Sequence, residues 1–120
     1  MPPPTTSFQV VGKAILPVIE MEDAISFYRR LGFDVEPYDD GYSFVNNAGA
    51  EILHLRFVED LDPERNAASV YFHVRDADAV HREWTGKGIA IDNIADRPWG
   101  MREFTVTDPA GNLIRVGQNS

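Results

Sequence analysis

"VIEMEDAISFYRRLGF", Val18 to Phe33, and "VRDADAVHREWTGKGI", Val74 to Ile89, decide how the chain folds. At a constant offset of 56 residues, Val18 meets Val74, Glu20 meets Asp76, Ala24 meets Val80, Tyr28 meets Trp84, Gly32 meets Gly88 and Phe33 meets Ile89. A period of this kind means that one structural unit is built twice. Each copy reads as strand, acidic cap, helix, glycine, strand. Ala77, Val80, His81 and Trp84 recur at helical spacing and share one face, as do Met21, Ala24, Ile25 and Tyr28. Asp76 suits an N-cap, and Asp23 and Asp78 suit the positive ends of first helical turns. Gly32 and Gly88 stand where a helix ends in a left-handed residue.

Outward from the repeat, Tyr42 to Val45, Glu51 to Phe57, Glu103 to Thr107 and Leu113 to Val116 alternate as strands do. "NNAG" and "DPAG" supply the turns between the last two strands of each half. The sequence predicts an α+β fold of two βαβββ modules, about residues 12–58 and 68–118, within one domain spanning 1–120. Helices should cover the outer face of each small mixed sheet, and the opposite faces should form a cavity. Residues 1–8 read as a loose N-terminal arm.

Composition narrows the function. The net charge is −8, with no basic stripe, which disfavours nucleic acid and anionic membranes as partners and favours a cation. Without cysteine there is no disulfide, thiolate nucleophile or zinc–thiolate site. No run approaches the roughly 18 apolar residues of a membrane span. "MPPPTTS" lacks the basic-then-apolar pattern of a signal peptide. A cytoplasmic protein is the expectation.

Several motifs now stand in order: "LPVIEMED", "FYRRLGF", "DPERNAASVYFHV", "REW", and "PWGMREF" followed by "DPAGN". With these motifs on paired βαβββ modules, nearly the whole chain beyond the arm resembles the vicinal oxygen chelate superfamily of glyoxalase I, extradiol dioxygenases and antibiotic-resistance proteins. Within it the chain is most similar to the bleomycin resistance proteins. Catalytic members hold a divalent metal with four His, Glu or Gln side chains, two per module. Carried over, the first-strand positions fall near Lys13 and Ser69 and the last-strand positions at His54 and Arg115. The last-strand pair is 61 residues apart, which puts five extra residues in the second module, around Ala95 to Gly100. Arg stays protonated and cannot ligate a metal, and a divalent cation needs deprotonated N or O donors. Only His54 could serve. The expectation is therefore no metal, no cofactor and no catalytic residue.

What the resemblance implies instead is non-enzymatic sequestration of a bleomycin-like glycopeptide antibiotic, conferring resistance. The protein would be a homodimer that exchanges its N-terminal segment about Pro17. Two alternatives stand: a metal-dependent lyase or dioxygenase of the glyoxalase type, and a module that binds another flat small molecule, since a fold does not fix its ligand.

Strand alternation sorts the candidate contacts. Val70, Phe72 and Val74 should face the helices, leaving Ser69, Tyr71 and His73 on the other side. Leu53, Leu55 and Phe57 should be core, with Ile52, His54 and Arg56 toward the cavity. Phe104 and Val106 should turn inward, with Glu103, Thr105 and Thr107 toward the cavity. Trp99, held between Pro98 and Gly100, is poorly placed for a helix–sheet core and well placed to stack on a flat ligand. The resemblance puts Trp99 beside the drug's planar rings and Tyr42 and Tyr71 near aromatic contacts. Glu36, Tyr38, Asp39 and Asp40, in "DVEPYDDGY", are candidates for a cationic tail. Met101 and Glu103, next to the Trp99 loop, complete the set with His54 and His73.

Several of these residues have a second reading. His54 and His73 suit a wet sheet or an interface as well as a ligand. Tyr42 and Phe44 suit a core, and His81 suits packing on its helix. The chain also departs from the bleomycin resistance pattern. Tyr71 and His73 occupy a strand where close relatives carry Trp, and Pro37 occupies an expected Phe position. The ligand can differ accordingly.

Overall fold

A computed structural model describes residues 7–119, so most of the arm lies outside the described residues. The first module runs β1 (Ala14–Val18), α1 (Met21–Arg30), β2 (Asp34–Asp39), β3 (Tyr42–Asn47) and β4 (Ala50–Phe57). The second runs β5 (Ser69–His73), α2 (Ala77–Gly86), β6 (Ala95–Asp96), β7 (Met101–Thr107) and β8 (Leu113–Asn119). Each makes a four-stranded sheet, in the orders β1-β4-β3-β2 and β5-β8-β7-β6. The β1–β4 and β5–β8 pairs are parallel and the rest antiparallel. These are the two βαβββ modules read from the repeat.

Local chemistry explains the elements. Glu20 caps α1 by accepting from the Asp23 amide at 2.8 Å, and Asp76, its repeat partner, caps α2 by accepting from Ala79 at 3.1 Å. Gly32 and Gly88 terminate the helices at φ of +105° and +78°. Ala48 and Gly49, both at positive φ, make the two-residue turn between β3 and β4, the geometry that matches strand twist. The extra residues of the second module fall where the spacing put them. The six-residue β2 has as its counterpart a two-residue β6 and a loop ending at Gly100.

Alternation holds along most strands. Leu53, Leu55, Phe104, Val106, Ile114 and Val116 are buried under the helices. Val70, Phe72 and Val74 pack against the same core. Phe57 is a correction: it is 46% exposed. It is the last residue of β4, bonded through its amide to the Gly41 carbonyl and opening with Met21 and Ile25 of α1 on a surface hollow. Tyr42 and Phe44 are not core either. They are half-buried on the sheet face away from α1, because Ser43 and Val45 take the core side of β3. His81 packs as read, its ring 5.0 Å from Phe104 and its Nε2 2.9 Å from the Asp92 carbonyl.

The modules share one core. The Tyr28 hydroxyl donates to Asp108 at 2.6 Å, from α1 into the "DPAGN" turn. Trp84, the repeat partner of Tyr28, donates its indole N–H to the Leu31 carbonyl at 2.9 Å. Asn112 donates to the Pro17 carbonyl at 2.7 Å. Gly111, at φ +85°, lies against the backbone of Pro63, where a side chain would collide.

Candidate functional site

With the helices on one side, each sheet leaves its other face to the candidate residues. On the first sheet, β3 and β4 set Phe44 opposite His54 and Tyr42 opposite Arg56, while β2 sets Glu36 opposite Phe44. Four rings gather there. Phe44 lies 4.9 Å from His54, 5.7 Å from Tyr42 and 6.1 Å from Tyr38, all edge-on, and Tyr42 lies 5.4 Å from His54. Edge-on contact is a favoured arrangement of aromatic pairs. The Tyr42 hydroxyl bonds His54 Nδ1 at 2.7 Å, and His54 Nε2 bonds Glu51 Oε1 at 2.5 Å. Both ring nitrogens of His54 are therefore engaged. Tyr38 is 73% exposed at the sheet edge, next to the exposed acids Glu36, Asp39 and Asp40. Asp39 accepts from the Gly41 amide at 2.9 Å, which fixes the turn.

The second sheet is organised by one buried acid. Glu103 is 1% exposed although it lies on the side of β7 expected to face the cavity. Tyr71 donates to its Oε2 at 2.5 Å, Arg115 Nη1 donates to its Oε1 at 3.2 Å, and Arg97 Nε stands 3.9 Å from that same oxygen. The Trp99 indole lies close enough to help hold that carboxylate in its charged form. Burial by itself pushes the Glu103 carboxyl up, but the Tyr71 and Arg115 donors outweigh it and hold its pKa below the ordinary 4.5. Tyr71 responds in the opposite sense: burial and the Glu103 carboxylate push its pKa up to about 12. Gly117 makes the contact possible. It pairs with Glu103 across β7–β8, and a Cβ there would strike the Tyr71 hydroxyl.

The Trp99 loop is a tight turn, closed by Arg97 N–H to Met101 O at 2.7 Å and Gly100 N–H to Arg97 O at 3.1 Å, with Gly100 at φ +84°. Trp99 is 60% exposed above it. Met101 is half-buried at the start of β7, and His73 is exposed with its ring 4.7 Å from Tyr71.

The candidates thus form two groups, one per sheet: Glu36, Tyr38, Asp39, Asp40, Tyr42 and His54, then Tyr71, His73, Trp99, Met101 and Glu103. A cleft of about 420 Å³ lies between the modules, with Lys13 and Glu51 on one side and Tyr71 and His73 on the other. The sequence reading did not single out Phe44, Arg97, Glu51 or Gly117 as parts of the site. Phe44 carried a signal, since it shares parity with Tyr42. Gly117 carried none, because its role depends on how far Tyr71 reaches across β8.

The strand register gives a second set of residues to weigh at the superfamily's metal position. His54 pairs with Ile15 and Arg115 with Tyr71, each partner two residues beyond Lys13 and Ser69 in sequence. Ile15, His54, Tyr71 and Arg115 do not fit a divalent cation: one residue is apolar, one is cationic and one is a phenol given over to Glu103. Among the described residues no three His, Asp or Glu side chains converge.

This architecture is the vicinal oxygen chelate fold, two βαβββ modules in one chain. The model of the glyoxalase/bleomycin resistance protein/dioxygenase superfamily matches residues 10–116, and the chain belongs to that superfamily. Comparison with curated proteins gives no match. Among solved structures, a bleomycin-binding protein complexed with bleomycin is similar at a TM-score of 0.84 and 24% identity, over 93% of this chain and 100% of that one. The bleomycin-binding protein of Streptomyces verticillus, complexed with copper(II)-bleomycin, is similar at 0.82 and 25%, over 96% and 100%. TnmS3, an antibiotic-binding protein from Streptomyces sp. CB03234, is similar at 0.74 and 28%, over 96% and 99%. Among the described residues no helix is long and apolar enough to cross a membrane.

Proposed function

We propose that the protein is a cytoplasmic, non-enzymatic binding protein that sequesters a flat antibiotic of the bleomycin type, lowering its free concentration without altering it. The carrying observation is Trp99: a large aromatic, mostly exposed, on a tight turn whose Arg97 stands 3.9 Å from a buried carboxylate. An indole held in place while its face stays open is pre-organised for stacking, and pre-organisation reduces the entropic cost of binding. The rings of Tyr38, Tyr42 and Phe44 offer further flat surface, and Glu36, Asp39 and Asp40 suit a cationic tail, aiding encounter and orientation. The carried-over metal position, with Arg115 in it, argues against glyoxalase-type chemistry. Similarity to antibiotic-binding proteins supports the same reading.

The whole chain acts as one domain, and the working unit is a homodimer that exchanges its N-terminal segment about Pro17. Val10, Val11 and Ile15 support this, because they are exposed apolar residues in and just before an edge strand, a surface proteins ordinarily cover. Such a dimer would bring the first sheet of one chain toward the second sheet of its partner. Calorimetric titration with metal-free and copper-loaded bleomycin tests the function. Saturable binding of either form supports it, and no binding of either rejects a bleomycin-type ligand.

A further inference from the structure

Charge on the second sheet points to a feature of the ligand beyond a flat ring. Glu103 is balanced by one cation, Arg115, and its other oxygen receives the Tyr71 hydroxyl. Arg97 is a second cation, directed at the same oxygen from 3.9 Å, too far for a good hydrogen bond. One buried carboxylate does not require two guanidiniums. Both arginines are more than a third exposed, at 35% and 38%, whereas Glu103 is 1% exposed beneath them. The Arg115 side chain spends one donor on Glu103 and makes no other hydrogen bond among the described residues. Arg97 makes no side-chain hydrogen bond of ordinary length there. Each guanidinium has five N–H donors in a planar fork that matches a carboxylate or a sulfonate. The exposed His73 ring lies beside Tyr71, and Lys13 lines the cleft on which Tyr71 and His73 open. Among the described residues lining that cleft the one acid is Glu51, which is held by His54.

We propose that Arg97 and Arg115 form an anion subsite next to the Trp99 stacking surface, and that the ligand is a flat aromatic bearing an acidic substituent. The inference rests on Trp99 being the stacking surface. Arg97 is two residues from Trp99 on the same turn, so the acidic group sits at the edge of the stacked ring. The first sheet, with its acidic β2–β3 turn, then receives the opposite, cationic end of the molecule. The site selects a bipolar ligand, and a purely cationic one fills only half of it.

The test compares two probes of one shape, anthraquinone-2-carboxylate and anthraquinone-2-carboxamide. Each is titrated into the full chain at pH 8, where the acid is ionised. The acid should bind about tenfold more tightly than the amide, the scale of one charge-assisted hydrogen bond, and only the acid should weaken as KCl is raised. Arg97→Gln should remove most of that preference and leave the amide's affinity as it was. This variant spares the Tyr71–Glu103–Arg115 contacts, so a folded protein is expected, and Arg115→Lys tests the second cation without leaving Glu103 unpaired. Equal binding of acid and amide, with both weakened by Trp99→Ala, overturns the anion subsite and leaves the stacking site standing. A preference for the acid that survives Arg97→Gln and Arg115→Lys also overturns it. Binding of neither probe removes the stacking reading and the subsite together.

Discussion

The Tyr71 hydroxyl donates to Glu103 across 2.5 Å, from β5 to β7, over the one position of β8 between them that lacks a side chain, Gly117. This contact sets the floor of the second sheet, since Arg115 bonds the same carboxylate and Arg97, on the Trp99 turn, stands 3.9 Å from it. Gly117→Ala should displace Tyr71 and cost about 1–3 kcal/mol, the range for overpacking. Tyr71→Phe should cost about 1–3 kcal/mol by removing a donor from a buried charge. Urea denaturation measures both. If Gly117→Ala retains full stability, Tyr71 does not cross β8 as described.

The same carboxylate gives a pH dependence. The Glu103 pKa is held below 4.5 in the folded protein. Its contribution to stability is therefore present above the unfolded value of 4.5 and is lost as pH falls through the lower folded value. Glu103→Gln should flatten this acid limb of the stability curve and lower stability at pH 7. At the alkaline end Tyr71, raised to about 12, stabilises the fold below pH 10 and loses that contribution as pH climbs through 12. Tyrosinate absorbance should show Tyr71 ionising about two units above a free tyrosine. A Tyr71 that ionises near 10 in the folded chain would contradict the pairing.

Tyr28 and Asp108 make the test of module packing. Their 2.6 Å bond is buried and joins α1 to the turn before β8. Asp108 also accepts from the Asn112 side chain at 2.8 Å and from the Ala110 amide at 2.9 Å. Tyr28→Phe should cost about 1–3 kcal/mol, read from the denaturation midpoint, with no direct effect on binding. Unchanged stability would mean that the two modules are not locked through this pair.

These contacts show what could be read in advance. The repeat was legible because both helices need the same things at the same spacing: a cap at Glu20 and Asp76, an aromatic at Tyr28 and Trp84, and a terminating glycine at Gly32 and Gly88. "FYRRLGF" and "DPAGN" could be seen as motifs, but not as partners. Tyr28 and Asp108 are 80 residues apart, and no local pattern encodes a contact at that distance. Alternation put Glu103 on the cavity side and could not reveal its burial, which depends on Tyr71, Arg115 and the Trp99 turn closing over it. Phe57 failed for a related reason: parity gives the face of a strand and not how far that face is covered.

The exchanged dimer has its own test. Sedimentation at micromolar concentration should give a species of twice the 13.5 kDa chain. Val10→Asp combined with Val11→Asp should shift it toward the single chain, because charge on an apolar contact is unfavourable. A wild-type protein that sediments only as a single chain would contradict the exchange.

The central claim is that Trp99 stacks on a flat ligand, and one comparison tests it most directly: titration of copper-loaded bleomycin into wild type and Trp99→Ala, with the denaturation midpoint of each. The account predicts binding by wild type, weakened by roughly 1–3 kcal/mol in the variant, the range for aromatic stacking on flat rings, with near-normal stability because the ring is 60% exposed. Equal affinity in the two proteins would contradict it, as would a loss of about 3–5 kcal/mol of stability, the cost of removing a core aromatic.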